Sequence, residues 1–213
     1  MDDFLQTSLE KGLEQVVSLG AGYDSRPHHF EARRQEVRVF AVAPLSTPKM
    51  NKVCTIFGEL PGYVTHAGIE FGREILAERL PRCSCDDSLK TLFTCEGVAM
   101  NLSLGAVEST LGFICEYSHA GSQVVFDYIV YALLDETVRH GAAQRLHRAK
   151  PILGEGLARS PREGRAQGFP QPRGFIHVTD VPAERPHRRC FSSQNPRPKA
   201  AWGYGIVSGK AKR

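Results

Sequence analysis

The chain has 213 residues, enough for one α/β domain with a real core. Apolar residues make up 41% and charged residues 23%, with a formal net charge of +4, which excludes a disordered or collagen-like polymer and fits a soluble globular protein. No apolar run reaches the roughly 18 residues of a membrane helix, and the start lacks a basic-then-apolar signal pattern, so no membrane partner and a reducing cytoplasm are expected.

In chain order, Asp2 to Gly12 predicts a helix, since Phe4, Leu5, Leu9 and Leu13 recur near helical spacing. Its two leading aspartates sit where the helix dipole favours anions. Gln15 to Leu19 (QVVSL) is a short β-branched run ending at Gly20 and reads as a buried strand. Val37 to Val42 predicts a second strand and Tyr63 to Thr65 a third. Gly72 to Leu80 carries Ile75, Leu76 and Leu80 on one helical face, and Thr91 to Cys95 (TLFTC) is the fourth strand. Ser103 caps a helix running to Tyr117, striped by Val107, Leu111, Ile114 and Cys115. Gln123 to Tyr128 (QVVFDY) is the fifth strand.

Strands alternating with helices imply βαβ units. Right-handed crossovers then wind a mostly parallel sheet, with its crevice outside the strands' carboxyl ends. After Lys150 the texture changes: Pro151 to Pro172 is rich in Gly, Pro and Arg and reads as a long exposed connection. Phe175 to Val178 and Tyr204 to Val207 are the last apolar runs, expected to pair antiparallel on the sheet's far edge. The expected organisation is a Rossmann-like core over 1–138, a basic Gly/Pro-rich connection over 139–174, and C-terminal strands over 175–213 that complete the sheet.

Charge is uneven. Residues 1–138 are mixed to slightly acidic, whereas Arg, Lys and His crowd the stretch from Arg139 onward. Such asymmetry marks either an anionic partner or a solvated tail. The absence of interleaved aromatics favours the tail, so no nucleic-acid partner is expected. Of the six cysteines, Cys95 and Cys115 lie in apolar runs and read as core residues, while the Cys83/Cys85 pair lacks a second pair at zinc-site spacing. His28-His29 reads as surface or core histidine, and no metal site is expected.

Leu19-Gly20-Ala21-Gly22-Tyr23-Asp24-Ser25-Arg26 follows the first strand directly. Glycines there allow a sharp turn and a ligand's close approach to the backbone. A dinucleotide fingerprint wants a further glycine where Ser25 stands. A sulfonium nucleoside carries no phosphate and needs the turn alone, which favours it over NAD.

The run Asp2-Asp3-Phe4-Leu5, followed by Gln15 to Arg26 (QVVSLGAGYDSR), resembles the signature of the leucine carboxyl/polyketide O-methyltransferase family, class I S-adenosylmethionine-dependent enzymes. Thr91 to Met100 (TLFTCEGVAM) resembles the family's TLFxxEGVTM block, and Ala120 to Tyr128 (AGSQVVFDY) its PGSxVVFDY strand. The matches are collinear over roughly residues 2 to 135; Arg189 to Lys199 and Gly203 to Val207 resemble the closing hairpin loosely. The resemblance implies a seven-stranded methyltransferase sheet, S-adenosyl-L-methionine as cofactor, and O-methylation of a carboxylate or hydroxyl on a small molecule or peptide terminus.

It also implies roles. Gly20, Ala21 and Gly22 would wrap the methionine half of the cofactor, and Asp24 would hold nearby groups or simply cap the next helix. Family members usually end the second strand in E-V-D, whose last acid takes the ribose hydroxyls; here Ala41-Val42-Ala43 stands instead, with Ala43 at the ribose position. Losing such a charge-assisted bond costs about 1.5–3 kcal/mol. Glu70-Phe71 matches the family's acid and hydrophobe against adenine, or is a helix-start acid beside a core ring. Glu96-Gly97 would lie close to cofactor or substrate, with a structural acceptor as the plainer reading of Glu96. Asn101 replaces a frequent tyrosine, and the front of the chain is shorter than is usual in the family. Two outcomes follow: an active O-methyltransferase, or a degenerate relative that serves as a binding module. An NAD-linked oxidoreductase is the third and least supported reading.

Overall fold

A computed structural model describes residues 1–22, 24–29, 37–43, 47–58, 62–69, 76–129, 166–168, 170–182 and 204–212. Helix α1 (Asp2–Glu10) leads into β1 (Gln15–Leu19), followed by α2 (Arg26–His29), β2 (Arg38–Ala43), α3 (Thr47–Phe57) and β3 (Val64–Gly68). Then come α4 (Leu76–Arg82), β4 (Thr91–Cys95), α5 (Leu104–Tyr117), β5 (Gln123–Ile129), β6 (Phe175–Pro182) and β7 (Tyr204–Ala211). The strands form one sheet of seven in the order β3-β2-β1-β4-β5-β7-β6. Strands β1 to β5 run parallel, and β7 enters antiparallel between β5 and β6. This is the expected doubly wound sheet with its antiparallel C-terminal pair.

Continuous apolar runs mark strands covered on both faces. All five positions of β1 and all five of β4 are buried. One face packs Val17, Leu19, Phe40 and Phe93 against Leu76 and Leu80 of α4 and Leu111 and Ile114 of α5. The other sets Val16, Leu92 and Val125 against Leu5 and Leu9 of α1 and the following Leu13. Each such leucine, buried from water, contributes about 2 kcal/mol. Ser103 caps α5 as expected, its side chain accepting from the Ala106 N–H at 3.2 Å.

Several expectations need correction. Helix α3 has no counterpart in the sequence reading, although Met50, Val53, Cys54 and Phe57 recur at helical spacing in its sequence; Val53 is buried and Ile56 is 71% exposed. The third strand begins and ends later than Tyr63 to Thr65, and the two C-terminal strands run four residues past the apolar runs that announce them. The connection drawn as exposed is not so throughout: Ala166 and Pro170 are buried, Ala166 within the main core. Cys95 is buried there too, and Cys83, Cys85 and Cys115 pack at its margin. Among the described residues no helix is long and apolar enough to cross a membrane, and no cluster of His, Cys, Asp and Glu has the form of a metal site.

Gln15 shows how the sheet's lower edge is tied. Its side chain is fully buried, donates to the Asp86 carbonyl at 2.6 Å and to Thr91 Oγ1 at 3.0 Å, and accepts from the Asp86 N–H at 3.0 Å. Replacing it leaves these groups without the partner while keeping the volume. Gln15→Met is expected to destabilise the fold by about 1–3 kcal/mol, read as a lower urea midpoint at unchanged slope.

Candidate functional site: the glycine bend between β1 and β4

The strand order reverses between β1 and β4, the position where open α/β sheets hold their ligands. These two strands are parallel and in register through Leu19 opposite Cys95, so Gly20 and Glu96 leave the sheet side by side. Gly20 turns at φ +68° and Gly97 at φ +71°, backbone conformations that an L side chain rarely adopts. The Ala21 N–H donates to the Val42 carbonyl at 2.9 Å, which fastens the bend to the end of β2.

At Gly20 the space is already taken. A Cβ built there would lie 2.0 Å from Val98 Cγ2, so a methyl of the loop after β4 fills the place a side chain would need. Packing between the two loops is therefore enough by itself to demand a glycine here. Among the described residues Gly22 and Gly97 keep open faces: a Cβ at Gly22 meets only the Gly20 carbonyl at 3.6 Å, and one at Gly97 meets nothing within 4 Å.

Asp24 is bound internally. Its Oδ1 accepts from the Arg26 N–H at 3.0 Å, and its Oδ2 accepts from Ser18 Oγ at 2.9 Å and Arg26 Nη1 at 3.2 Å. It thus starts α2 and ties that start back to β1. Glu96 is half-exposed and ion-paired to Arg26 Nη2. Gly97 is held at both ends, its N–H donating to Asp127 Oδ1 at 2.9 Å and its carbonyl accepting from Asn101 Nδ2 at 2.9 Å. Asn101, where the family carries tyrosine, therefore braces the loop after β4. Ala43 ends β2 opposite Gly68, its carbonyl accepting from the Ile69 N–H at 3.1 Å. Glu70 and Phe71, the expected adenine contacts, lie outside the described residues, as do the side chains of His28 and His29.

Burial pushes the Asp127 carboxyl above its ordinary 3.8, and the Gly97 N–H and the Arg26 charge pull only part of the way back. Burial also pushes the Cys95 thiol up to about 12, so this residue is a neutral filler and not a nucleophile. A cavity of about 40 Å³ lies nearby, walled by Leu5, Leu9, Val16 and Tyr63 with Asp24 and Arg26 in its lining. It has room for a few waters. None of Gly20, Ala21, Gly22 and Gly97 lines it.

A model of the leucine carboxyl methyltransferase family matches residues 1–115, more than half of the chain. The chain belongs to this family. No curated protein sequence matches it. Solved structures show the same fold at low identity. SibL, an S-adenosylmethionine-dependent methyltransferase in its apo form, matches with TM-score 0.60 at 13% identity, over 94% of this chain and 51% of its own. Human N-acetylserotonin methyltransferase in complex with SAM gives 0.54 at 11%, over 93% and 48%. The 1,6-didemethyltoxoflavin-N1-methyltransferase of Burkholderia thailandensis, with bound 1,6-didemethyltoxoflavin and S-adenosylhomocysteine, gives 0.55 at 15%, over 97% and 74%. The chain spans about half the length of SibL and of the human enzyme. Its fold is that of S-adenosylmethionine-dependent methyltransferases.

Three residues gain a role from coordinates alone. Val98, Arg26 and Asp127 belong to the motif blocks, yet nothing local in the sequence says that Val98 meets Gly20 or that Asp127 meets Gly97. The available signal was their place at strand ends that the topology brings together.

Gly20→Ala is expected to cost about 2–4 kcal/mol, from positive φ plus overlap with Val98. In a Val98→Ala background the same change should cost about 1 kcal/mol; equal costs in both backgrounds by urea unfolding would remove the packing argument. Asp127 gives a pH test. Its carboxyl binds a proton more readily folded than unfolded, so its contribution is most favourable in acid and is lost as pH climbs from about 4 through the raised folded value. Asp127→Asn keeps an acceptor for Gly97 and should gain on the wild type as pH rises from 4 to 7, a trend that paired unfolding curves would reveal.

Proposed function

We propose that this chain is a methyltransferase that takes S-adenosyl-L-methionine at the bend between β1 and β4 and methylates an oxygen, carboxylate or hydroxyl, on a small molecule or peptide terminus. The carrying observation is the pair of open-faced glycines, Gly22 and Gly97, on adjacent loops at the strand-order reversal, within a family-matched sequence. Gly20, Ala21, Gly22, Asp24, Glu96 and Gly97 line this reading of the site, with Ala43 beside it at the end of β2. A sulfonium nucleoside needs close backbone approach and no phosphate cradle, and Gly22 and Gly97 fit that demand. They fit less well at the ribose, where Ala43 offers no carboxylate.

When bound, S-adenosyl-L-methionine would supply a methyl group activated by its sulfonium. What the chain supplies is position and exclusion of water. Asp24 holds the exit of the bend, Asp127 and Asn101 hold the Gly97 corner, and Glu96 stands at the rim with its charge against Arg26. A carboxylate acceptor needs little help from a base. For a hydroxyl acceptor, Asp127 is the buried carboxyl nearest the corner, raised toward a useful basicity by its surroundings. The cytoplasm and a small-molecule or peptide-terminus acceptor remain part of this reading.

Isothermal titration with S-adenosylmethionine and S-adenosylhomocysteine tests it. A dissociation constant below about 100 μM supports it, and no heat at millimolar ligand defeats it in favour of a module that has lost the cofactor. Ala43→Asp restores the missing carboxylate and should tighten binding about tenfold.

A further inference from the structure

All three guanidinium nitrogens of Arg26 are committed, each to a different part of the fold. Nε donates to Asp2 Oδ1 on α1 at 2.9 Å, Nη1 to Asp24 Oδ2 after the bend at 3.2 Å, and Nη2 to Glu96 Oε2 after β4. The side chain itself is only 18% exposed. A planar fork with donors on three nitrogens can address three carboxylates at once, whereas an ammonium is a single compact charge. Asp24 is in turn anchored to β1 through Ser18 Oγ, so the bonds run unbroken from β1 to the loop after β4.

Two of these carboxylates are half-exposed or more, and pairs of that kind add little to global stability. Their convergence on one fork acts on geometry instead. The elements joined are the two loops that flank the strand-order reversal. Without the strut, Val98 packing and the strand ladder still hold the sheet, but the outer ends of the two loops lose their fixed spacing.

We infer that Arg26 is a positioning residue: it fixes Asp24, at the exit of the bend, against the Glu96–Gly97 corner and so sets the width of the crevice between them, an inference that rests on the cofactor reading above. The role belongs to an arginine alone. Lysine keeps the charge and loses the fork.

Hydrogen exchange on the full chain, wild type against Arg26→Lys and Glu96→Gln, reads the spacing directly. The amides of Ala21, Asp24, Gly97 and Asn101 are all hydrogen-bonded. In Arg26→Lys both pairs should exchange about tenfold faster, while β5 and β7 keep their protection and the thermal midpoint holds. In Glu96→Gln the same pairs should loosen less, since the bonds of Arg26 to Asp2 and Asp24 survive. Unchanged exchange at both loops overturns the inference, and so does loss of protection across the whole sheet, which would make Arg26 merely structural. Titration with S-adenosylhomocysteine should show about tenfold weaker binding to Arg26→Lys than to the wild type. Equal affinity overturns the link to the crevice. No heat from the wild type itself sinks the cofactor reading, and the exchange data then decide the strut by themselves.

Discussion

Two parallel strands that end in register at a reversal of strand order must send their chains outward side by side, and the structure around β1 and β4 is shaped by that requirement. With Leu19 opposite Cys95, the residues after them compete for the same space. The competition is settled by a glycine on one side and a valine on the other: Val98 occupies the volume that a side chain on residue 20 would need. Once that contact is made, the bend can reach β2 through Ala21, and the loop after β4 can reach β5 through Gly97. Four neighbouring strands are thus tied at their carboxyl ends by a few short-range bonds. The crevice is the space those bonds leave.

Much of this was legible in the sequence because burial on both faces writes itself as unbroken apolar text. QVVSL and TLFTC could hardly be anything but inner strands, and the Ser103 cap announced α5. The positions that escaped were those whose reason lies far along the chain. Helix α3 is the exception, since Met50, Val53, Cys54 and Phe57 stand at helical spacing in its own sequence, a local signal that was there to read. Strand β6 is half exposed and carries a register shift between Ile176 and Thr179, with His177 at φ +51°, so its alternation breaks where a reader would look for it. Asp127 and Gly97 are 30 residues apart, and their bond depends on β4 and β5 lying adjacent. Composition misled as well: a Gly- and Pro-rich stretch still buries Ala166, because one small apolar residue can enter a core from an otherwise polar segment.

The charged groups at the strand ends follow one pattern. Asp24, Glu96 and Asp127 each have a named partner within the protein, and none stands as a bare carboxylate aimed at a ligand. Carboxylates already in use hold loops in place, and backbone with open faces is left to meet whatever binds. That division suits methyl transfer, whose chemistry resides in the sulfonium and whose demand on the protein is alignment in a dry site. It suits less well a reaction needing a strong base, for which Asp127, whose burial raises its proton affinity, is the candidate at this corner.

Ala43 separates fold from function most clearly. Its carbonyl accepts from Ile69, its strand pairs with β1 and β3, and the bend docks one residue earlier on Val42. None of these contacts uses a side chain at position 43. The register of the strand end is therefore set by backbone bonds that an acid at this position would leave in place. On the cofactor reading proposed above, the alanine removes a ribose contact and leaves the strand frame as it is. On that same reading, an intact frame beside a missing contact predicts weakened affinity in a correctly folded protein, and position 43 is the place where a single side chain would separate a tight cofactor site from a loose one.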